Sequence, residues 1–565
     1  MYAEIEKKLT TLLRRSLEVA LGADVATSAQ LPAELLILDI PKEKAFGDLS
    51  LSAAMKLARV CRKSPRQVAQ DILEAFGRLH DGLPAGEQFV EKTEIKGAGF
   101  INFFLKKSVF EDMLRAVCRL GPAYGRSDAH GGRKVLLEFV SANPTGALSV
   151  AHARQAAVGD ALANILAAAG CRVTREFYLN DEGNQIAVLG RSIDLRLREQ
   201  MGEAVAFPQE CYQGDYIGDL AARIIDDKAL LKKVTAMGEA DRADFMKEYG
   251  VREILAVIRG ELDGFGVRFD VWYSQKEKVS DAVVAATLSA LEAQGHIYAA
   301  EGALWFRSTA YGDDKDRVVK KTDGAYTYLA PDIAYHKDKF ARGFEELVNI
   351  WGPDHHGYIP RLRAAVQALG HPAAALHVII VQLATLYRDG APVPMSTRKG
   401  QYVTLTELLT EVGRDAARFF FLMRKTDSHL DFDLALAKKQ TPENPVYYVQ
   451  YAHARVCGIL TGAGDRGSAD AAPLERLVEE EERDLMTALF SYGFCVEVCA
   501  AQYDPYSMTA YLQSLAATFH KFYDKHKVLT DDPALAEARL VLVRAVKTVL
   551  ANGLTLLGVS APERM

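Results

Sequence analysis

The stretch Ser141 to Asp160, SANPTGALSVAHARQAAVGD, sets a proline, two glycines and one histidine ahead of a run with helical periodicity. Backbone N–H groups at a helix start attract phosphate oxygens, and a glycine lets the chain bend to expose them. Here Asn143, Pro144, Thr145 and Gly146 would make the bend, the N–H groups around Ala151 to Arg154 the anion end, and His152 a side-chain donor. The same residues also fit a plain strand-to-helix turn with a satisfied histidine. A second stretch, Arg388 to Gly400 (RDGAPVPMSTRKG), joins hydroxyls at Ser396 and Thr397 to Arg398, Lys399 and a closing glycine. That chemistry suits a loop folding over pyrophosphate, though such a stretch taken singly is more often a solvated surface loop. The run Pro353 to Gly357 brings Asp354, His355 and His356 together, but adjacent histidines rarely converge on one ion without a third strong ligand, so no metal site is expected.

The elements around these residues must place them. Lys134 to Val140 (KVLLEFV) is a short apolar strand leading into the first loop, and the helix beyond it carries Val158, Ala161, Leu162 and Ile165 on one face. Gly170 can end that helix, and CRVTREFYL then forms another strand. Strand, loop, helix and strand make a βαβ unit, which requires a parallel sheet with a ligand crevice at the carboxyl ends of its strands. Further candidate strands, ALWFRS, ELVNIWG and HVIIVQL, alternate with helical stretches to about residue 400, and the chain beyond about residue 405 is mainly helical. Ahead of residue 121, helical periodicity with the turn-rich IPKEKAFGDLSLSAAMKLA and the alternating IKGAGFINFFL predicts a small α+β unit.

A chain of 565 residues exceeds one hydrophobic core, and 49% apolar with 25% charged residues is the mix of a soluble globular protein. The most apolar run, Leu376 to Leu386, is too short to span a bilayer, and the N-terminus mixes acids with bases unlike a signal or transit peptide, so a cytoplasmic protein without a membrane segment is expected. The seven cysteines include no CxxC pair and read as free thiols. A net charge of -6 gives no global attraction to nucleic acid, though a local basic surface would suffice.

In this order on an α/β framework the two loops resemble the HIGH and KMSK signatures of class I aminoacyl-tRNA synthetases. The strings EFVSANPTGALSVAHAR, FYLNDEGNQI, TYLAPDIAYH, WGPDHHGYIPR, GRDAARFFFLMRK, NPVYYVQYAHAR, FHKFYDKHKVL and LLGVSAPERM resemble arginyl-tRNA synthetases over essentially the whole chain. The resemblance implies a multidomain α/β protein: an N-terminal α+β domain touching the tRNA elbow (1–120), a Rossmann-type parallel-sheet catalytic domain with insertions (121–440), and a C-terminal all-α anticodon-binding domain (441–565). It implies an arginine–tRNA ligase that uses ATP with Mg²⁺ as co-substrate and no tightly bound cofactor, activates L-arginine in a step that depends on bound tRNA, and charges tRNA(Arg). A monomer is expected, since no extra interface element stands out.

Carried over by motif, Lys134, Ser149, His152, Ser396 and Lys399 would act on the phosphates, with Met395 and Thr397 beside them. Asn143 to Gly146 would hold ATP. Ser141, Asn143 and Glu138 would meet the amino end of arginine, Tyr328 and Asp332 its guanidinium, and His355 a polar position of the same pocket. Tyr447, Tyr451, Arg455 and His520 would read tRNA, aromatics beside cations being suited to stacking on unpaired bases. Departures from the pattern are Ser149 and Ala151 in the first signature, Pro394 in the second, and Gln275 where the family often has a second guanidinium acid. Either Glu277 substitutes there or the pocket relies on Asp332 alone. The same departures motivate an alternative, a catalytically weakened homologue that binds tRNA or arginine as a regulator.

Overall fold

The computed structural model describes residues 2–21, 33–41, 43–393, 402–464 and 468–565. Helix α1 (Tyr2–Leu21) buries Ile5, Leu9, Leu12, Leu13 and Leu17, the stripe its spacing predicts. It packs on α2 (Pro65–Asp81), whose start is fixed by proline in the first turn and by Ser64 Oγ accepting the Gln67 N–H. Strands β1 (Leu38–Asp39), β2 (Leu49–Leu51), β3 (Val90–Lys96) and β4 (Phe100–Leu105) form an antiparallel sheet in the order β1-β2-β4-β3. In β4 alternation puts Ile101, Phe103 and Leu105 inward with no exposure. Helix α3 (Lys107–Leu120) then leads towards the centre of the molecule.

There the predicted βαβ unit is present: β5 (Lys134–Glu138), α4 (Val150–Ala168) and β6 (Arg172–Leu179), the strands parallel in register from Lys134–Arg172 to Glu138–Glu176. Val135, Leu136 and Leu137 are all fully buried, as a strand covered on both faces requires. A Cβ on Gly159 of α4 would stand 2.3 Å from the Phe139 ring, so glycine is what lets this helix lie on the end of β5. Helices α5 (Asn184–Gln200) and α6 (Glu239–Phe265) pack together before β7 (Val271–Ser274). Strands β8 (Ile297–Ala300), β9 (Ala303–Phe306) and β10 (Arg317–Lys320) make a small antiparallel sheet that shares a core with α7 (Leu329–Ala341). With β11 (Glu346–Trp351), α8 (Ile359–Ala368) and β12 (Leu376–Ile380) the central sheet is complete, five parallel strands in the order β12-β11-β5-β6-β7.

Beyond about residue 405 the chain is mainly helical, as expected, with one short strand among the described residues, and that strand closes a small sheet begun before it. β13 (Ala384–Arg388) pairs with β14 (Ala391–Pro392) and, in parallel, with β15 (Leu430–Asp433). Leu430 and Phe432 point inward while Asp431 and Asp433 point out, a period of two that four residues between helices make easy to miss. The chain ends in helices α9 (Pro445–Ala463), α10 (Glu480–Gln502), α11 (Tyr506–Lys525) and α12 (Pro533–Leu556). Helix α10 is long and apolar enough to cross a bilayer by length and composition, but its apolar residues Leu485, Leu489, Phe490 and Val496 are buried against α1, α11 and α12. The turn-rich Lys44–Asp48 region docks on α10 through Lys44 with Glu480 and Asp484 and through Arg483 with Asp48.

Candidate active site

Past β5 the backbone turns sharply: Val140 (φ 66°) and Ser141 (φ 39°) are both left-handed, a conformation that a β-branched residue rarely adopts. The turn aims Ser141 Oγ back at the strand ends, where it donates to Glu138 Oε1 (3.1 Å) and accepts the Tyr178 N–H of β6 (3.1 Å). Beneath it Lys339 of α7, wholly buried, donates to Glu138 Oε2 (2.5 Å) and to Asn349 Oδ1 (3.1 Å). A second pair lies alongside, the half-buried Arg342 on the buried Glu176, with Tyr335 Oη also donating to Glu176 at 2.6 Å. Charges this deep persist only when paired and hydrogen-bonded, so the strand ends form a fixed ionic floor.

Asp332 sits in the first turn of α7 above that floor and accepts the Tyr358 hydroxyl at 2.5 Å. Burial pushes its carboxyl up to about 6 and Glu138 adds to the rise, while the Tyr358 hydrogen bond and the positive charges of Lys339 and His355 pull it back. On the opposite side the Tyr178 hydroxyl donates to Gln275 Oε1 (2.7 Å), and Gln275 Nε2 donates to Glu182 Oε1 (2.9 Å). Burial, then the charges of Asp332 and Glu138, hold the Tyr178 phenol protonated. Carboxylate and phenol oxygens of this kind suit a cation with several donors. At the position of the departure Gln275 links Tyr178 to Glu182, while the Glu277 N–H donates to Ser274 Oγ.

The other half of the cleft is a cavity of 560 Å³ lined among others by Asn143, Thr145, Gly146, Ser149, His152 and Gln185. Asn143 Nδ2 donates to Gln185 Oε1 at 2.8 Å. The Ser149 N–H donates to His152 Nδ1 (3.1 Å), which leaves the ring proton on Nε2, and burial lowers the histidine to about 4. His152 is therefore a neutral donor at physiological pH and not a cation. Two hydroxyls hold the loop from outside, Tyr216 on the Thr145 carbonyl (2.5 Å) and Tyr402 on the Ala147 carbonyl (3.1 Å). A Cβ on Gly146 would stand 3.3 Å from the Tyr402 oxygen and 3.5 Å from that of Tyr216, a close fit between the two phenols.

Two of the expected residues lie apart from the groups just described. Lys134 opens β5, exposed, with its N–H on Glu345; parallel strands present their carboxyl ends to the cleft, so Lys134 stands at the opposite edge of the sheet. Tyr328 is the N-cap of α7 and is 86% exposed, and the phenol bonded to Asp332 is that of Tyr358. His355 lies at the pocket mouth, its ring 3.5 Å from Asp354. Pro394, Met395, Ser396, Thr397, Arg398 and Lys399 lie outside the described residues. Tyr178, Lys339 and Tyr358 were missed by sequence reasoning, although all three fall in or beside the strings that carry the resemblance.

Far from this cleft the structure gathers Tyr447, Tyr451, Arg455 and His520 on α9 and α11. The rings of Tyr447 and Tyr451 stack at 5.9 Å, His520 lies 6.1 Å from Tyr451, and Arg455 donates to the Tyr451 hydroxyl at 2.8 Å. The nearby Lys521 and Lys525 pair with Glu481, so the basic neighbourhood read from FHKFYDKHKVL is partly neutralised.

Three family models cover this architecture: the arginyl tRNA synthetase N terminal domain over residues 7–105, the catalytic domain of tRNA synthetases class I (R) over 121–433, and the DALR anticodon binding domain over 449–565. The chain is 46% identical over 565 residues to the arginine–tRNA ligase of Citrifermentans bemidjiense, covering 99% of this chain and 100% of that protein. The chain belongs to the arginyl-tRNA synthetase family. The arginine–tRNA ligase of Bacillus subtilis is 43% identical, again with 99% of this chain and 100% of that protein covered. Among solved structures, the arginyl-tRNA synthetase of Thermus thermophilus superposes with a TM-score of 0.75 at 25% identity, over 98% of this chain and 100% of that one. Within an arginyl-tRNA synthetase fold the groups described above gather near the carboxyl ends of β5 and β6, where a class I enzyme opens its sheet.

Proposed function

We propose that this protein is an arginine–tRNA ligase that activates L-arginine with ATP and transfers the arginyl group to the 3′-terminal adenosine of tRNA(Arg). The observation that carries this reading is Asp332, a carboxylate that accepts the Tyr358 hydroxyl, with the hydrogen-bonded Tyr178, Gln275 and Glu182 as the further oxygens offered to a cation. A guanidinium arriving there restores the charge that burial disfavours, and its five donors match the oxygens present. Tyr328, exposed at the start of the same helix, is left to cover it from the solvent side. Ser141 and Asn143, with Glu138 behind them, meet the α-amino group, and His355 stands at the rim.

In the first step a carboxylate oxygen of arginine attacks the α-phosphorus of ATP and pyrophosphate leaves. Such a transfer needs no covalent nucleophile on the protein, only positioned donors for the developing charge. His152 supplies an N–H from Nε2, the residues from Asn143 to Gly146 cradle the nucleotide, and Ser149 fixes the histidine. Mg²⁺ would arrive with ATP as part of the co-substrate and supply neutralising charge to its phosphates. Met395, Ser396, Thr397 and Lys399 remain assigned to pyrophosphate. In the second step a hydroxyl oxygen of the terminal adenosine attacks the arginyl carbonyl carbon and AMP leaves.

The α+β domain (1–120) would touch the tRNA elbow, the catalytic domain spans 121–440, and the helical domain (441–565) would read the anticodon through Tyr447, Tyr451, Arg455 and His520. We assign the enzyme to the cytoplasm as a monomer. Full-length identity to arginine–tRNA ligases weighs against the regulator reading. Arginine-dependent exchange between ATP and pyrophosphate, run with and without tRNA, tests the assignment. Exchange that requires arginine supports it; exchange with another amino acid, or none under either condition, overturns it.

A further inference from the structure

Three segments far apart in the chain meet at one carboxylate outside the residues considered so far. Glu261 lies near the C-terminal end of α6 and is 8% exposed. Its Oε2 accepts the Leu148 N–H at 2.8 Å, and its Oε1 accepts the Thr406 hydroxyl at 3.0 Å. Leu148 immediately precedes Ser149, which holds His152; Thr406 follows the second signature stretch. The two segments also bond directly, Leu405 N–H to the Leu148 carbonyl at 2.8 Å and Tyr402 to the Ala147 carbonyl, with Ser149 bridged antiparallel to Thr404.

Packing alone does not account for this group. A buried carboxylate at the negative end of a helix dipole is disfavoured twice, and among the described residues no cation pairs with it. Burial raises its pKa, and the hydrogen bonds from Leu148 and Thr406 pull it back down. An apolar side chain would fill the space at lower cost, whereas only a two-oxygen acceptor can hold both donors at once.

We propose that Glu261 is a positioning residue for adenylation: it ties the loop that aims His152 to the segment following the second signature stretch, fixing one register between the two phosphate-handling parts of the cleft. This rests on the ligase reading given above. The arginine pocket is held by other elements, β5, β6 and α7, so loosening the tie should fall on ATP and spare arginine.

The test compares wild-type enzyme with Glu261→Gln and Thr406→Val in tRNA-supported, arginine-dependent pyrophosphate exchange, with separate KM values for ATP and arginine and a thermal midpoint. In Glu261→Gln one acceptor becomes an NH₂ facing a donor, and kcat/KM for ATP should fall on the order of tenfold or more, as expected when catalytic groups are slightly misplaced. KM for arginine should stay within about twofold, because its pocket is untouched. Thr406→Val should shift in the same direction by less. Unchanged ATP parameters in a folded Glu261→Gln enzyme, or equal shifts in both KM values, would overturn the proposal. If that variant fails to fold, an unchanged ATP KM in Thr406→Val overturns it alone. Should wild-type enzyme show no arginine-dependent exchange, the ligase reading is what fails, and titration of the same variants with a non-hydrolysable ATP analogue still decides the tie.

Discussion

At the proposed arginine end of the cleft, Asp332, Glu138 and Glu182 present carboxylates held in place by Tyr358, Lys339 and Gln275. At the proposed triphosphate end the groups assigned to ATP are uncharged, a neutral histidine, an asparagine, hydroxyls and backbone N–H groups of a helix start, with Glu210 the one acid on the cavity lining among the described residues. The first end discriminates by charge, since a buried carboxylate without its cation is unfavourable and any neutral analogue leaves it so. The second end discriminates by geometry, since neutral donors gain little until they line up with charge that develops during reaction. Substitutions at the first should change which amino acid is accepted, and at the second how fast ATP reacts.

The sharpest test of that contrast is Asp332→Asn. Removing one partner of a desolvated charge pair is expected to lower kcat/KM for arginine by roughly two to three orders of magnitude and to erase preference for arginine over citrulline, read by exchange kinetics with each. The free protein should respond in the opposite sense. The folded pKa of Asp332 lies near 6, above its ordinary value of 3.8, so the folded state binds this proton more tightly than the unfolded one. The stability this confers is present at low pH and lost as pH rises through 6, leaving an unfavourable carboxylate at pH 7. Asp332→Asn should therefore melt higher than wild type at pH 7, and the gap should close towards pH 4.

His152→Ala probes the other end. Loss of one donor at a developing phosphate charge is expected to lower adenylation roughly a hundredfold while KM for arginine stays close to wild type. An equal loss of arginine affinity would show that the two ends are not independent. Titration separates them again with smaller effect. As pH falls below about 6, Asp332 takes up its proton and kcat/KM for arginine should fall about tenfold per unit. His152 does not gain its proton until about 4, so KM for ATP should hold steady across the same range.

The two ends also differ in how much the amino-acid sequence disclosed. The strand, loop and helix around the triphosphate were readable because apolar runs, Gly146 and Gly170 mark a βαβ unit locally. Asp332 was readable only through resemblance, since a single acid in a helix has no pattern of its own. Glu182 and Tyr358 were not readable, because each acquires a role from a partner 93 or 26 residues away, Gln275 and Asp332. Glu261 is the extreme case, an acid in a 27-residue helix whose partners lie 113 and 145 residues off in the chain. Local periodicity reports which face is buried and says nothing about what a buried polar atom meets.

Lys134, expected on the phosphates through the motif resemblance alone, supplies the smallest expected effect. It stands only four residues before Glu138 in the chain. A strand rises about 3.3 Å per residue, however, so those four residues carry it roughly 13 Å from the pocket, towards the amino end of the sheet. There its backbone N–H is bonded to Glu345 and its side chain is exposed beside Gly343. An exposed lysine at that distance is screened by solvent and cannot follow charge moving on the α-phosphate. Lys134→Ala should leave KM for ATP, KM for arginine and the exchange rate within about twofold of wild type, with stability changed by no more than about 0.5 kcal/mol. A large loss of exchange in a normally folded Lys134→Ala enzyme would mean that charge outside the cleft assists a triphosphate end otherwise built from neutral groups, and the contrast between the two ends would no longer hold.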